Sequence, residues 1–327
     1  MDMKKLKFSK KSLNNFIRFS FLVILFFLVN RGFLPALTTA EEMERLLGAQ
    51  TITYAQAARF VLEASEVMRT GYYEVAFDFA VQRKWLPKTL KPNDPVRLDR
   101  ISLLLMRSFY MEGGLFYSLV GAPNYAYREL VYKNVFQGRS DPHMMVSGER
   151  LIFYINRILS LYEGTQDEVK MKERRLADRG KRRERSEELA AMITAIIKDH
   201  RIEDTTVEAT DEGILITLSN INFLPDSAAL PNAEKRKLDD ISAILKRMPD
   251  VRLFIAGHTT RSGTAEGRLE LSINRAREAA NYLISQNACK EKDIMIAGYG
   301  ADRILIDNTT PAAMAANRRV EIMILEY

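Results

Sequence analysis

GHTTRSGTAEGRLELSINRA, residues 257–276, is the stretch that decides the fold of the C-terminal part of this chain. Residues 252–256 before it, Arg252 followed by four apolar residues, are predicted to form a strand that leads into a glycine turn. A helix is predicted over residues 266–285. Further on, NRRVEI at residues 317–322 enters a last strand predicted over residues 318–325. A strand, a polar turn, a long helix and a final strand indicate a layered sheet and helix structure.

Neighbouring segments extend this pattern. Residues 232–248 place four apolar side chains on one helical face: Leu238, Ile241, Ile244 and Leu245. Further strands are predicted over residues 213–218 (GILITL), 220–225 (NINFLP) and 293–297. Strands alternating with helices predict an α+β fold in which residues 205–327 form a βαβαβ sandwich, with helices on one face of a mixed sheet.

The two motifs resemble the peptidoglycan-associating domain shared by OmpA C-termini, Pal lipoproteins and MotB stators. In that family a Gly-His-Thr-Asp turn precedes Asn-x-x-Leu-Ser-x-x-Arg-Ala on a helix. The resemblance implies a groove for the peptidoglycan stem peptide, in which the aspartate takes the ammonium of a diamino acid and the arginine takes its carboxylate. Arg275 stands at the arginine position, whereas Thr260 replaces the aspartate and Arg268 replaces the asparagine. The candidate binding residues are Thr260, Arg268, Arg275, Asn317 and Arg318.

These replacements bear on the strength and the specificity of binding. Loss of the carboxylate at Thr260 removes a charge-assisted hydrogen bond worth ~1.5 to 3 kcal/mol, and Arg268 adds a positive charge near an ammonium. One interpretation is a pocket suited to a different stem peptide, with lysine or ornithine in place of diaminopimelate. Asn317, Arg318 and Arg319 either border the groove or fix the last strand.

Residues 41–163 are predicted to form an all-α domain with an internal repeat. A shift of fifty residues lays residues 80–109 on residues 130–159 without a gap, so that Pro92 falls on Pro142 and Val96 on Val146. A third partial copy starts at residue 52. There Thr53 and Gln56 form a predicted capping box at a helix start.

This repeat resembles surface-layer homology (SLH) modules, in which three such units form a helical prism that can bind cell-wall polymers. In that family an arginine before each second helix reaches the polymer. Tyr54, Leu98 and Gly148 occupy the corresponding positions here. An SLH-like repeat that packs without binding any glycan is therefore the alternative to a polymer site.

A signal peptide is predicted over residues 1–40. Basic residues precede a run over residues 19–29 that is apolar except for Ser20 and carries no charge, and its length suits the core of a signal peptide better than a bilayer span. Thr38, Thr39 and Ala40 then offer a small-residue cleavage site. An uncleaved inner-membrane anchor is the alternative.

Charge and cysteine content limit the classes of partner. Seven of the 48 lysines and arginines and one of the 42 aspartates and glutamates lie in residues 1–40, so the remainder is balanced. A basic surface for nucleic acid is therefore not expected. The single cysteine, Cys289, provides no disulfide framework, CxxC motif or lipobox.

Residues 164–204 are predicted to form a charged helical linker, because acidic and basic residues are interleaved with few apolar ones. A binding tail for an acidic surface is the alternative. At its C-terminal end one helical face becomes apolar and is expected to pack on the domain that follows: Leu189, Ile193, Ile196 and Ile197.

No catalytic or metal-binding motif is recognisable. His143, His200 and His258 lie in three different segments, so neither a metal triad nor a Ser-His-Asp set is indicated. We therefore expect a non-catalytic periplasmic protein without a cofactor, associated with the cell wall or the outer membrane and bound to the stem peptide. The alternative is an interaction scaffold that has lost both ligand sites. Further candidate partners are another envelope protein and a second copy of the chain in a homodimer.

Overall fold

The computed structural model of the protein describes residues 36–137, 141–219, 221, 223, 229–248 and 250–326. Most of the predicted signal peptide, residues 1–35, lies outside this range. No helix in the described ranges combines the length and the apolar character that crossing a membrane requires. The helices are α1 (Ala36–Gly48), α2 (Tyr54–Ala64), α3 (Tyr73–Gln82), α4 (Leu98–Ser108), α5 (Leu115–Val120), α6 (Pro123–Tyr132), α7 (Gly148–Tyr162), α8 (Gln166–Asp199), α9 (Asn232–Leu245), α10 (Ala265–Ser285) and α11 (Pro311–Asn317). The strands are β1 (Thr205–Ala209), β2 (Gly213–Leu218), β3 (Leu253–Gly257), β4 (Ile294–Gly298) and β5 (Val320–Leu325).

The described residues fall into two compact units. The first contains the residues up to Ala57 together with Asn93–Glu168, and the second contains Ala58–Pro92 together with the chain from Val169 onward. The sequence predicts domains that follow one another along the chain, at residues 41–163, 164–204 and 205–327, and these boundaries stay a prediction. The compact units are discontinuous in sequence, because residues 58–92 belong to the same unit as the C-terminal part.

Three loops of the helical repeat meet in a closed ring of hydrogen bonds in the first unit. The backbone N–H of Ile52 donates to Val146 at 3.1 Å, that of Val146 to Val96 at 2.9 Å, and that of Val96 to Ile52 at 2.9 Å. All three side chains are fully buried. The predicted capping box is present, since Thr53 and Gln56 exchange side-chain to backbone hydrogen bonds of 2.9 and 3.3 Å. The repeat thus brings three equivalent apolar positions together.

The positions where SLH modules carry an arginine are buried in this unit. Tyr54 and Leu98 are 1% and 0% exposed. Gly148 packs so closely on α1 that a Cβ there would lie 1.6 Å from the carbonyl oxygen of Leu46. Tyr54 and Leu98 therefore stabilise the core of the unit, Gly148 permits the close approach of α1, and the resemblance to SLH modules stays a prediction.

The second unit contains a five-stranded mixed sheet in the order β1-β2-β5-β3-β4. Strands β1, β2, β5 and β3 pair antiparallel, and β3 pairs parallel with β4. The predicted α+β fold and mixed sheet are confirmed. The predicted strands over residues 252–256, 293–297 and 318–325 correspond to β3, β4 and β5 with shifted ends.

The hydrophobic core lies between one face of the sheet and helices α9 and α10. Ile214, Ile322 and Leu283 are fully buried members of it, and burial of each such side chain contributes about 1.5 to 3 kcal/mol. The helical face predicted for α9 is buried as expected: Leu238, Ile241, Ile244 and Leu245. This packing holds α10, and with it the motif residues, against the edge of the sheet formed by β3 and β4.

Helix α8 packs along the same unit from Arg175 to Ile197. Its apolar C-terminal face contacts the core as predicted: Leu189, Ile193, Ile196 and Ile197. Its charged part also makes specific contacts, since Arg175 donates to the carbonyl oxygen of Ser65 at 3.0 Å and Arg179 pairs with Asp211 at 2.8 Å. The charged segment is thus a helix with paired arginines, rather than only a solvated spacer.

Residues 58–92 cover the opposite face of the sheet. Strand alternation puts Phe254 on the face away from the helix-packed core, and its ring centroid lies 4.8 Å from that of Tyr72. Arg252 beside β3 donates through Nε to the carboxylate of Asp78 at 3.3 Å. All five residues of β3 are consequently buried.

Two predictions for this unit differ from the structure. Strand β1 was not anticipated, because TTVEA is a polar edge strand with alternating partial exposure and lacks a continuous apolar run. The strand predicted over residues 220–225 is not seen at Ile221 and Phe223, and its other positions lie outside the described residues.

Candidate binding groove

The motif turn begins where β3 ends. Gly257 lies against α10, where a Cβ would meet the carbonyl oxygen of Ser272 at 2.0 Å, so only glycine permits this close approach. Gly263 adopts a φ of 80° in the turn. The hydroxyl of Thr264 then accepts a hydrogen bond from the backbone N–H of Gly267 at 3.1 Å and caps α10. These local features explain why a strand, a turn and a helix follow one another here.

A buried polar cluster supports the turn from below. His258 is 1% exposed, and its backbone N–H donates to Arg319 at 3.0 Å. Its Nε2 lies 3.1 Å from a carboxylate oxygen of Glu321, and a guanidinium nitrogen of Arg319 lies 2.8 Å from the other oxygen. The hydroxyl of Tyr72 also donates to Glu321. His258 therefore orders the turn and is not presented to a ligand.

The protonation states in this cluster follow from its contacts. Burial alone would raise the pKa of the Glu321 carboxyl, but the hydrogen bond from His258, the charge of Arg319 and the hydroxyl of Tyr72 outweigh burial and hold the pKa below its usual range. Burial lowers the pKa of His258. The folded protein thus keeps Glu321 ionised beside the guanidinium of Arg319.

An aromatic stack closes the cluster on the side of residues 58–92. The ring of Tyr299 stacks on His258 with centroids 5.6 Å apart. The guanidinium of Arg303 lies 3.9 Å from the ring centroid of Tyr299 and 4.4 Å from that of Tyr72. Burial raises the pKa of both tyrosines, so they remain neutral hydrogen-bonding groups. His258, Arg319 and Glu321 are consequently buried at the base of the turn.

Asn317 positions the loop that faces the turn. Its Oδ1 accepts from the backbone N–H groups of Leu305 at 2.7 Å and Ile306 at 3.3 Å. Its Nδ2 donates to the carbonyl oxygen of Ile306 at 2.6 Å and to Oδ1 of Asn308 at 2.5 Å. Asn317 is completely buried. Its side chain therefore holds the loop over residues 305–308 in place, and its predicted role in the groove stays a prediction.

A groove of about 580 Å³ lies between these two loops. One wall is formed by residues 260–262, and the other by residues 307–309 together with Met314 of α11. Its volume is that of a site for a small ligand. The charged residues of the lining are Arg261 and Asp307, one on each wall.

The sequence-predicted site residues take different places around this groove. Thr260 lines it. Arg268 donates to the carbonyl oxygen of Gly263 at 2.6 Å and braces the turn. Arg275 is 6% exposed and stacks on the ring of Phe223, with its guanidinium carbon 4.7 Å from the ring centroid.

Arg318 is half-buried at the end of α11, where its backbone N–H donates to Met314 at 3.2 Å. Within the described residues, Thr260 is thus the single member of the predicted set that lines the groove. Binding by the other four residues stays a prediction.

Sequence reasoning missed the wall formed by residues 307–309. These residues belong to none of the motifs quoted from the sequence. Their loop is held in place by hydrogen bonds from Asn317, which lies outside it. The dipeptide Asp307-Asn308 before a short helix was the available signal, because such residues favour turns and expose polar side chains.

Comparisons with known proteins agree with this geometry. The family model described as the OmpA family matches residues 222–318. Peptidoglycan-binding protein ArfA of Mycobacterium bovis is 34% identical over 109 residues, which are 33% of this chain and 33% of ArfA. Motility protein B of Bacillus subtilis is 29% identical over 148 residues, 43% of this chain and 57% of that protein. The peptidoglycan-associated lipoprotein of Pseudomonas aeruginosa is 30% identical over 113 residues, 35% of this chain and 66% of that protein.

These matches confirm the resemblance of the C-terminal part to OmpA, Pal and MotB proteins. The chain spans only about a third of the length of ArfA. The family model covers residues 222–318, which include the residues that line the groove.

Proposed function

Because residues 222–318 form an OmpA family domain, we propose that this chain is a non-catalytic protein of the cell envelope that binds peptidoglycan through its stem peptide. The proposed location is the periplasm, in association with the cell wall or the outer membrane. The names of two relatives, a peptidoglycan-binding protein and a peptidoglycan-associated lipoprotein, support this function.

The observation that carries the proposal is the groove between residues 260–262 and residues 307–309. It lies at the motif turn and is held by a rigid buried cluster on one side and by Asn317 on the other. A preformed groove limits the entropy lost when a short peptide binds. Its lining combines one positive and one negative side chain, Arg261 and Asp307, with the apolar Met314, so it offers contacts to both the charged groups and the apolar parts of a peptide.

A catalytic role is not supported by this lining. Asp307 is the one carboxylate among the groove residues that the structure describes, whereas hydrolysis of a glycoside usually needs a pair of carboxylates. His258 is buried beneath the turn and serves the fold. Zymography on gels that contain cell wall should therefore show no clearing. A cleared band at the mass of this protein would contradict the non-catalytic function.

Sedimentation with purified sacculi tests the proposal. We expect the protein to pellet with sacculi at low salt and to be released by soluble stem peptide. Bovine serum albumin in the same tube is the control for trapping in the pellet. Protein that stays in the supernatant at low salt would refute peptidoglycan binding.

A second candidate function is a scaffold that binds another envelope protein. It is favoured by the uncharged Thr260, by the burial of Arg275, and by the buried Tyr54, Leu98 and Gly148 at the SLH positions. Crosslinking in cells distinguishes the two functions. Recovery of one dominant protein from a peptidoglycan-free fraction supports the scaffold, and recovery of muropeptides alone excludes it. A second copy of the chain is a further candidate partner, which analytical ultracentrifugation tests.

A further inference from the structure

The lining of the groove contains one charge of each sign. Arg261 follows Thr260 in the motif turn, and Asp307 lies in the loop held by Asn317. Both side chains are exposed. Neither side chain forms an ion pair with any other residue in the described ranges. Both charges are therefore available to a ligand in the groove.

The two positions implied by the family resemblance do not provide such a pair. Thr260 carries no charge. The guanidinium of Arg275 is buried and occupied by the ring of Phe223. Among the residues that line the groove, Arg261 and Asp307 are the ones that carry a charge.

The chemistry of the proposed ligand matches this arrangement. A diamino acid such as diaminopimelate ends in an amino acid group that carries an ammonium and a carboxylate on the same carbon. A cation on one wall and an anion on the other can contact both groups at once with charge-assisted hydrogen bonds. Because each wall contributes one charge, the groove also favours a single orientation of the peptide.

We infer that Arg261 and Asp307 recognise the zwitterionic end of the stem peptide, with Arg261 binding its carboxylate and Asp307 its ammonium. This inference rests on the proposed function. It assigns specificity to two residues outside the motif positions, and it explains how a groove with Thr260 can select a ligand that carries an ammonium.

Titration calorimetry with chemically modified peptides tests the assignment. The probes are the tripeptide L-Ala-γ-D-Glu-meso-diaminopimelate, the same peptide acetylated on the side-chain amine, and the same peptide amidated on the side-chain carboxylate. Acetylation should weaken binding to the wild type by about 10-fold but to Asp307→Asn by less than about 2-fold. Amidation should weaken binding to the wild type by about 10-fold and to Arg261→Gln by less than about 2-fold.

Matched controls separate these contacts from general charge effects. Asp302→Asn removes an exposed carboxylate from the same part of the chain, and Arg236→Gln removes an exposed cation from α9. Both controls should keep the wild-type response to acetylation and amidation. Circular dichroism should show all four variants folded, since the altered side chains are exposed.

The outcomes distinguish this assignment from the proposed function. If the wild type binds the tripeptide and sacculi, but Asp307→Asn and Arg261→Gln respond to the modifications as the wild type does, the assignment is wrong and peptidoglycan binding stands. If the wild type binds neither the tripeptide nor sacculi, the proposed function fails and the assignment fails with it.

Discussion

Replacement of Asn317 by alanine tests whether the loop over residues 305–308 shapes the groove. The substitution removes four hydrogen bonds, which join Asn317 to Leu305, to both backbone polar groups of Ile306 and to Asn308. At a net value of about 1 kcal/mol for each bond, with incomplete additivity, we expect a loss of about 2 to 4 kcal/mol in the free energy of unfolding. Binding of the stem peptide should weaken by at least about 10-fold, because the loop must then be ordered on binding.

Urea denaturation, monitored by tryptophan fluorescence, measures the change in the free energy of unfolding. Trp85 is the only tryptophan of the chain, and it lies in the same compact unit as the groove. Asn281→Ala on the exposed face of α10 is the matched control; it should leave binding unchanged and raise stability by no more than about 0.7 kcal/mol, through helix propensity. A loss below about 0.5 kcal/mol for Asn317→Ala, with unchanged affinity, would show that the loop does not depend on this side chain.

The remaining predictions concern the buried cluster and the close packing of α10. Glu321→Ala should lower the free energy of unfolding by about 3 to 5 kcal/mol, because it leaves a buried guanidinium unpaired. Tyr72→Phe should lower it by about 1.5 to 3 kcal/mol, because it removes one hydrogen bond to a carboxylate. Urea denaturation that shows a negligible loss for both variants would refute a stabilising role of the buried cluster. Because the pKa of Glu321 is lowered on folding, its stabilisation is present above its unfolded pKa of about 4.3 and is lost as the pH falls. In Glu321→Gln the free energy of unfolding should therefore fall less steeply below about pH 4.3 than in the wild type. An unchanged slope would contradict the lowered pKa of Glu321. Gly257→Ala should destabilise by more than about 2 kcal/mol, because its Cβ would meet the carbonyl oxygen of Ser272. Gly180→Ala in α8 meets no atom within 4 Å and should raise stability by up to about 1 kcal/mol.

Local sequence patterns predicted the elements of the C-terminal unit well. Helix α10 was expected over residues 266–285 and is found at Ala265–Ser285, because its cap and its apolar face are both encoded within one segment. The apolar face of α9 was likewise readable from the spacing of Leu238 and Ile241. Strand ends shifted by one or two residues, since hydrogen bonding to neighbouring strands decides them.

Contacts between distant segments could not be predicted. Tyr72 and Glu321 are separated by 249 positions, and nothing near either residue indicates that they meet. The same holds for Asn317, whose side chain was expected at the groove or at the last strand and instead holds a loop 9 to 12 positions away. The charge of Asp307 matters only because that loop places it opposite Arg261.

Residue-resolved nuclear magnetic resonance titration with the diaminopimelate tripeptide tests the central claim most directly. The backbone amide signals of residues 260–262 and 307–309 should shift in a saturable manner, because these residues form the two walls of the groove. Signals of the first unit, such as Ile52 and Val96, should remain unchanged. Saturable shifts confined to the first unit, or no shifts at millimolar peptide, would contradict binding of peptidoglycan at this groove.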